Sequence, residues 1–361
     1  MKEESVICKA PDSLEILAQK IECRLGELFS TEIDKWGAVA IELREPLSVL
    51  KEMVLAGGKR LRPAFAYWAY VGAGGNPESE EILMAGCTLE LLHSFAMIHD
   101  DIMDASLTRR GLVSLHKRFE GRHEEIGWVG DSRRFGEGVA ILLGNLAFVY
   151  ADMMLSGLSR EAQAIFTELR LEVNMGQYLD LVGAATGKTE MRIPEDRARQ
   201  ISLYKSGKYT VERPLHLGAA LLGELAQFEA PLSRYGVPLG YAFQLRDDIL
   251  GSFGDRLVTG KPVGEDFREG KPTLLASIAM ERVSGSDYEF FKERFGSPDL
   301  DAEELQRFQA ILSRTGARQR VELLVSRLGA EAIAALPASG LNKEASQGLT
   351  ELAEYVIRRD L

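Results

Sequence analysis

The stretch Glu90-Leu91-Leu92-His93-Ser94-Phe95-Ala96-Met97-Ile98-His99-Asp100-Asp101-Ile102-Met103-Asp104 decides the architecture expected of this chain. His93, Met97, Asp100, Asp101 and Asp104 follow one another at offsets of 4, 7, 8 and 11 from the first, which is helical spacing. Asp100 and Asp104 lie one turn apart on one helix face, with Asp101 beside them. Like charges so placed repel, so a helix built only for stability tends to avoid them. A second acidic pair, Asp247 and Asp248, ends Phe243-Gln244-Leu245-Arg246-Asp247-Asp248, again in an apolar, helix-like context. Hard divalent cations offset such repulsion, and Mg²⁺ typically takes one or two carboxylates plus substrate phosphates. Two such clusters point to a diphosphate held by several Mg²⁺ ions between two helices.

Working outward, 3.6-residue periodicity dominates and no run of alternating strands stands out. Helical patterns are expected at 13–28, 31–55, 60–72, 79–105, 137–156, 160–184, 195–206, 211–224, 228–251, 272–283 and 287–296, and in pieces over 301–358. Breaks are expected at 56–58, 72–77, 183–194 and 251–271, where Gly, Pro and Asp gather. The charged, Gly-punctuated stretch Glu120 to Arg134 reads as a surface loop, with a lid as the alternative. The fold class is all-α, with helices packed around a central cavity. No linker composition stands out among the 361 residues, so a single domain over 1–361 is expected.

The net charge of −11 disfavours nucleic acid or an anionic membrane as a non-specific partner. Cys8, Cys23 and Cys87 are scattered without a CxxC pair, which predicts a reduced, cytoplasmic protein. The acidic N-terminus lacks a signal-peptide pattern. The longest near-apolar run, Val139 to Tyr150, is too short to span a bilayer, so no transmembrane segment is expected.

Basic groups cluster in four places. Gly57-Gly58-Lys59-Arg60-Leu61-Arg62-Pro63 puts Lys59 and Arg62 on one face, after glycines that let backbone approach a ligand. The alternative, a solvated basic helix start, runs against the macrodipole. Thr108-Arg109-Arg110-Gly111 follows the first acidic cluster, where the arginines bind phosphate or pair with the aspartates. Lys205-Ser206-Gly207 reads either as a phosphate contact or as a helix end stopped by Gly207. Lys261 and Lys271 follow the second cluster, in a segment that otherwise reads as a polar loop. His93 is either a satisfied core residue or part of the same surface as the acids, and Gln244 lies one turn before Asp248.

Taken in order, these elements resemble the trans-isoprenyl diphosphate synthases of the polyprenyl synthetase family, and among them the geranylgeranyl diphosphate synthases. The resemblance rests on GGKRLRP at 57–63, HDDIMD at 99–104, TRRG at 108–111, GQYLDL at 176–181, KSG at 205–207, FQLRDD at 243–248 and GKPVGED at 260–266. It implies an isoprenoid-synthase-type helical bundle around a deep cavity, a homodimer, and condensation of isopentenyl diphosphate with an allylic diphosphate. It implies Mg²⁺, three ions per site with substrate bound, on Asp100, Asp104 and Asp247, with Asp101 and Asp248 in support. Lys59, Arg62, His93 and Arg110 would hold isopentenyl diphosphate; Arg109, Lys205 and Lys261 would hold the allylic diphosphate. Gln244 and Ser206 would face the allylic cation, and the departing diphosphate would take the proton. Three positions depart from the family pattern: Gly251 for the last aspartate of the second motif, Ser206 for threonine, and Asn145 for aspartate.

The family elongates its product below the first acidic cluster. Thr88, Leu92 and Ala96 line up a turn apart beneath Asp100. Ala96 leaves room, Phe95 is the bulky residue expected to stop growth, and no insertion separates Asp101 from Asp104. The expected product is C20 geranylgeranyl diphosphate, with C15 farnesyl diphosphate next. A terpene cyclase would leave GGKRLRP unexplained, and an HD-type phosphohydrolase needs more ligand histidines than a chain with five supplies. A non-catalytic modulating subunit would not need both acidic clusters and the basic groups.

Overall fold

A computed structural model describes residues 12–109, 111–190, 194–254 and 264–358. The described residues open with α1 (Asp12–Val39), a short 3₁₀ turn at Ile41–Leu43, α2 (Arg44–Leu55) and α3 (Leu61–Gly72). Next come α4 (Glu80–Met103), a two-residue ladder of β1 (Thr108–Arg109) with β2 (Leu112–Val113), α5 (Leu115–Ile126), α6 (Ser132–Leu155) and α7 (Arg160–Glu190). Then α8 (Glu195–Ile201) runs into a π-helical stretch, Ser202–Glu212, and on into α9 (Arg213–Leu221); α10 spans Leu225–Phe253. Among the described residues six further α-helices follow, from Glu265–Glu269 to Lys343–Arg358.

The stretch that opened the sequence reading is the C-terminal part of α4, which starts where Ser79 accepts a hydrogen bond from the Glu81 amide at 3.2 Å. Leu89, Leu91 and Leu92 are fully buried, so α4 is covered on most sides. Burying each such leucine contributes roughly 1.5–3 kcal/mol, against at most about 0.5 kcal/mol for an exposed helix ion pair. Packing therefore places α4, and with it the aspartates. A main core joins α1–α7, α9, α10 and the last helix. A second core lies beyond the C-terminal half of α10, where Phe267 stacks on Phe308 at 4.9 Å.

Several boundaries differ from the sequence expectation. Glu120 to Arg134 is not a loop: α5 continues to Ile126, and only 127–131 connects it to α6. Its charges form the solvated face of α5, with Arg118 bonded to Glu52 at 2.6 Å, while Phe119 and His123 face inward. Trp128 packs on Phe135 at 5.2 Å. α1 runs unbroken through 28–31 and ends at Val39. Gly183 does not end α7: a Cβ there would come within 2.6 Å of Pro272, so the position needs a small residue. Likewise Gly207 does not stop a helix; it lies against Gly240, whose backbone a Cβ on Gly207 would approach to 2.9 Å.

α4 and α6 are long and apolar enough to cross a membrane by length and composition, which the short run Val139 to Tyr150 did not suggest. In α4 61% of that apolar window is buried inside the protein, and in α6 44%.

Candidate active site

α3, α4, α7, the π-helical stretch and α10 enclose a cavity of about 1020 Å³. Asp100 and Asp104 face it from α4, and Asp247 and Asp248 from α10. Gly176 on α7 lets the Lys205 backbone come close, since a Cβ there would lie 2.2 Å from the Lys205 nitrogen. That contact fixes how far Lys205 reaches across the cavity.

Each acid of the first cluster faces a cation. Arg109 Nε donates to Asp101 at 2.7 Å, and its Nη2 reaches Asp100 at 3.2 Å. Lys205 Nζ donates to Asp100 at 3.1 Å and to Asp180 at 2.5 Å. Lys271 Nζ donates to Asp104 at 2.8 Å and also pairs with Glu269 at 2.5 Å. Gln177 completes the set with a 3.0 Å bond to Asp100. Burial disfavours the charge on Lys205, but Asp100 and Asp180 outweigh it and hold the ammonium above its ordinary range. Lys271 and Arg109 are raised in the same way, against burial, by the surrounding carboxylates.

In the second cluster Asp248 is buried among other carboxylates. Burial, followed by repulsion from Asp266, pushes the Asp248 carboxyl well above its ordinary range, with Asp247 and Asp180 adding to the effect. Gln244 Nε2 opposes this by donating to Asp248 at 2.7 Å. Gly251 leaves a space that a neighbour uses: a Cβ there would sit 2.8 Å from Asp266 Oδ2. The carboxylate missing from position 251 is thus matched by one from the helix Glu265–Glu269. A buried carboxyl of raised proton affinity, crowded by other carboxylates, belongs to a donor set that a divalent cation suits. Among the described residues, no three acidic, His or Cys side chains converge to hold an ion by themselves.

The third group lies on the α3 side. Gly57 and Gly58 adopt φ of +80° and +137°, which only glycine takes without strain, and so turn the chain into α3. Arg62 donates to Thr210 Oγ1 at 3.0 Å and to the Tyr209 hydroxyl, with its guanidinium 4.2 Å from the Tyr209 ring centre. His93 Nδ1 lies 3.1 Å from the same hydroxyl. Lys59, Arg62 and His93 all line the cavity, as does Ser206. Arg60 is tied up by protein partners: it is buried, bonded to Glu90, and reaches Glu22 at 3.2 Å and the Val54 carbonyl at 3.0 Å.

Ala96 lines the cavity and Leu92 is buried below it. Phe95 packs on His99 at 4.6 Å and Phe148 at 4.9 Å, and is not among the lining residues. Arg110 and Lys261 lie outside the described residues. Sequence reasoning missed Tyr209, Asp180, Gln177, Glu269 and Asp266. Asp180 and Gln177 sit in GQYLDL, where their i, i+3 spacing places both on one face of α7. Nothing in the sequence marks Tyr209 as the bridge between Arg62 and His93.

Residues 44–312 match the family model described as polyprenyl synthetase. A short chain isoprenyl diphosphate synthase of Methanothermobacter thermautotrophicus is 32% identical over 270 residues, covering 73% of this chain and 76% of the relative. A geranylgeranyl diphosphate synthase of Saccharolobus solfataricus is 31% identical over 317 residues, covering 84% and 87%. Among solved structures, a geranylgeranyl pyrophosphate synthase from Corynebacterium glutamicum, complexed with isoprenyl diphosphate and magnesium, aligns with a TM-score of 0.90. It is 34% identical, and the alignment covers 96% of this chain and 99% of that one.

Proposed function

Because the chain belongs to the polyprenyl synthetase family, we propose that it is a trans-prenyltransferase joining isopentenyl diphosphate head to tail to allylic diphosphates, with C20 geranylgeranyl diphosphate as its product. The observation that carries this reading is one cavity that combines two facing acidic clusters, a rim of buried cations and apolar walls such as Ala96, Met97 and Val173. The described residues act together as one domain.

In this reading Lys59, Arg62 and His93 hold the isopentenyl diphosphate, with Tyr209 fixing the angle between the last two. Arg110 and Lys261 join the isopentenyl and allylic sets respectively, as the family resemblance assigns them. Arg109, Lys205 and Lys271 meet the allylic diphosphate, and they stay charged at neutral pH because the carboxylates hold their protons. Asp100, Asp104 and Asp247, supported by Asp101 and Asp248, would hold Mg²⁺, and we assign three ions. Bound there, Mg²⁺ would act as a Lewis acid that neutralises charge on the diphosphate oxygens.

As the allylic C–O bond breaks, negative charge grows on the departing diphosphate, and the three cations, turned from their aspartates to the diphosphate once Mg²⁺ binds those aspartates, would stabilise it. Gln244 has its Nε2 held by Asp248, which leaves its carbonyl oxygen for the positive allylic carbon. The isopentenyl double bond attacks that carbon, and the departing diphosphate takes the proton lost from the new chain. The apolar walls keep water from the cation.

For product length, Ala96 opens the wall beneath Asp100, Leu92 closes it lower down, and Phe95 backs it from the α6 side. The second subunit of a homodimer would cover the exposed apolar face of α6 and α7. Leu142, Val149 and Met153 face outward on α6, and Leu171, Met175 and Tyr178 on α7. Asn145 is exposed on the same α6 face, so asparagine in place of aspartate keeps a charge out of that contact.

The test is to incubate the protein with Mg²⁺, isopentenyl diphosphate and C5, C10 or C15 allylic primers, and to resolve products by length. A dominant C20 product is expected. A C15 or longer-than-C20 product overturns the length assignment alone, and no condensation with any primer overturns the activity.

A further inference from the structure

The family match stops at residue 312, yet a side chain well beyond it lies against Lys59, one of the residues that line the cavity. Lys59 Nζ lies 5.1 Å from the centre of the Tyr355 ring, and Tyr355, on the last helix (Lys343–Arg358), is only 3% exposed. We propose that Tyr355 is a positioning residue for Lys59, holding its ammonium by a cation–π contact toward the diphosphate of isopentenyl diphosphate. This inference rests on the reading of Lys59 given above.

The packing explains why the ring arrives there. The last helix runs antiparallel to α3. Asn342 Nδ2 donates to the Val71 carbonyl at 2.8 Å, and the Asn342 amide to the Gly72 carbonyl at 3.1 Å. Further along, a Cβ on Gly348 would meet the Trp68 ring at 2.3 Å, so this pair of helices is in close contact. The Tyr235 hydroxyl also anchors the helix, donating to the Leu349 carbonyl at 2.6 Å. Seven residues, about two turns, beyond Gly348 on the same face comes Tyr355. Seven residues back from Trp68 is Leu61, the first residue of α3, with Lys59 just before it. Lys59 follows two glycines, so its backbone starts from a broad range of conformations. A long, rotamer-rich side chain there gains from an anchor on a rigid helix, because a pre-placed ammonium loses less entropy when the ligand binds. An aromatic face attracts the ammonium and so supplies such an anchor.

The experiment measures steady-state kinetics of the full chain carrying Tyr355→Phe or Tyr355→Leu, each also with Lys59→Met. Tyr355→Leu is expected to raise KM for isopentenyl diphosphate about 3- to 10-fold, leaving kcat and KM for the allylic primer within about twofold. Tyr355→Phe keeps the ring face and should restore the wild-type KM. With Lys59→Met in place, Tyr355→Leu should add nothing further. Replacing Tyr355 by pentafluorophenylalanine keeps the volume and reverses the ring quadrupole, so it should act like Tyr355→Leu even if the leucine variant misfolds. Equal effects of Phe and Leu, an effect that persists beside Lys59→Met, or no effect of the fluorinated ring would each overturn the proposal. A wild-type protein that condenses nothing would instead sink the function reading itself.

Discussion

At the scale of single residues, Gly251 and Asp266 give the least expected result. The sequence shows a missing aspartate, but it cannot show that a carboxylate 15 positions later fills the gap, because chain folding rather than spacing joins them. Gly251→Asp, which restores the usual family residue, is therefore expected to harm the protein. It adds a carboxylate to an acidic cluster and makes Asp266, whose Oδ2 a Cβ at 251 would meet at 2.8 Å, turn aside. A loss of about 0.5–3 kcal/mol in denaturant unfolding without Mg²⁺ is expected from the added like charge, and a smaller loss with Mg²⁺ present. Asp248 sets a pH dependence. Its carboxyl is held above its ordinary value of 3.8, so the metal-free fold binds a proton that the unfolded chain releases. That stabilisation is full below 3.8, declines as pH rises above it and is gone once pH has climbed through the raised value. Mg²⁺ takes only the carboxylate, so the stabilisation that Mg²⁺ provides should grow with pH. Melting curves with and without Mg²⁺ at pH 6 and pH 8 test this, and an equal gain at both would contradict it.

Among the elements, long periodic helices were legible in the sequence, and so were the breaks at 56–58 and 72–77, but the interruption inside 195–221 was not. α4 and α10 lie close to where the periodicity put them, and so do the aspartates they carry. The π-helical stretch left no signal, since Ser202–Glu212 shows ordinary helical composition and Gly207 mimics a stop. Its path is set by tertiary contacts: Gly207 against Gly240, and Lys208 and Arg213 both paired with buried Glu172. Gly207→Ala tests which effect wins. In an ordinary helix interior the change gains about 0.5–1 kcal/mol. Here the new methyl would sit 2.9 Å from the Gly240 carbonyl carbon, and overpacking of that kind costs about 1–3 kcal/mol. A net loss of stability is expected, together with a fall in kcat as Lys205 shifts; a gain would show that Gly207 is only a tolerated defect. The misread stretch 120–134 has a related cause: charge hid the narrow apolar stripe of Leu115, Phe119 and His123.

For the whole molecule, global and local charge have opposite consequences. A net charge of −11 repels anions at a distance, so the cavity must concentrate its cations to take a diphosphate. The fold does so by burying Lys205 and Lys271 among carboxylates that keep them protonated. The all-α class and both acidic clusters followed from the sequence. The link from the last helix to Lys59 did not, because nothing in 313–361 carries readable chemistry of its own. If the α6–α7 face is covered by a second copy, analytical ultracentrifugation should find a dimer, and Met175→Glu with Leu142→Glu should yield monomers.

The pairing of Asp100 with Lys205 and of Asp104 with Lys271 has one more consequence. In the resting protein each of these charges already has a counter-ion. A metal ion arriving alone must strip an aspartate from its lysine and leave a buried cation stranded; a bare diphosphate does the reverse to the aspartate. Arriving together, the two exchange partners with the protein in a single swap, and every charge is matched again. The cavity behaves as a lock that takes two keys turned at once, and inorganic diphosphate with Mg²⁺ should stabilise the fold by far more than the sum of either alone.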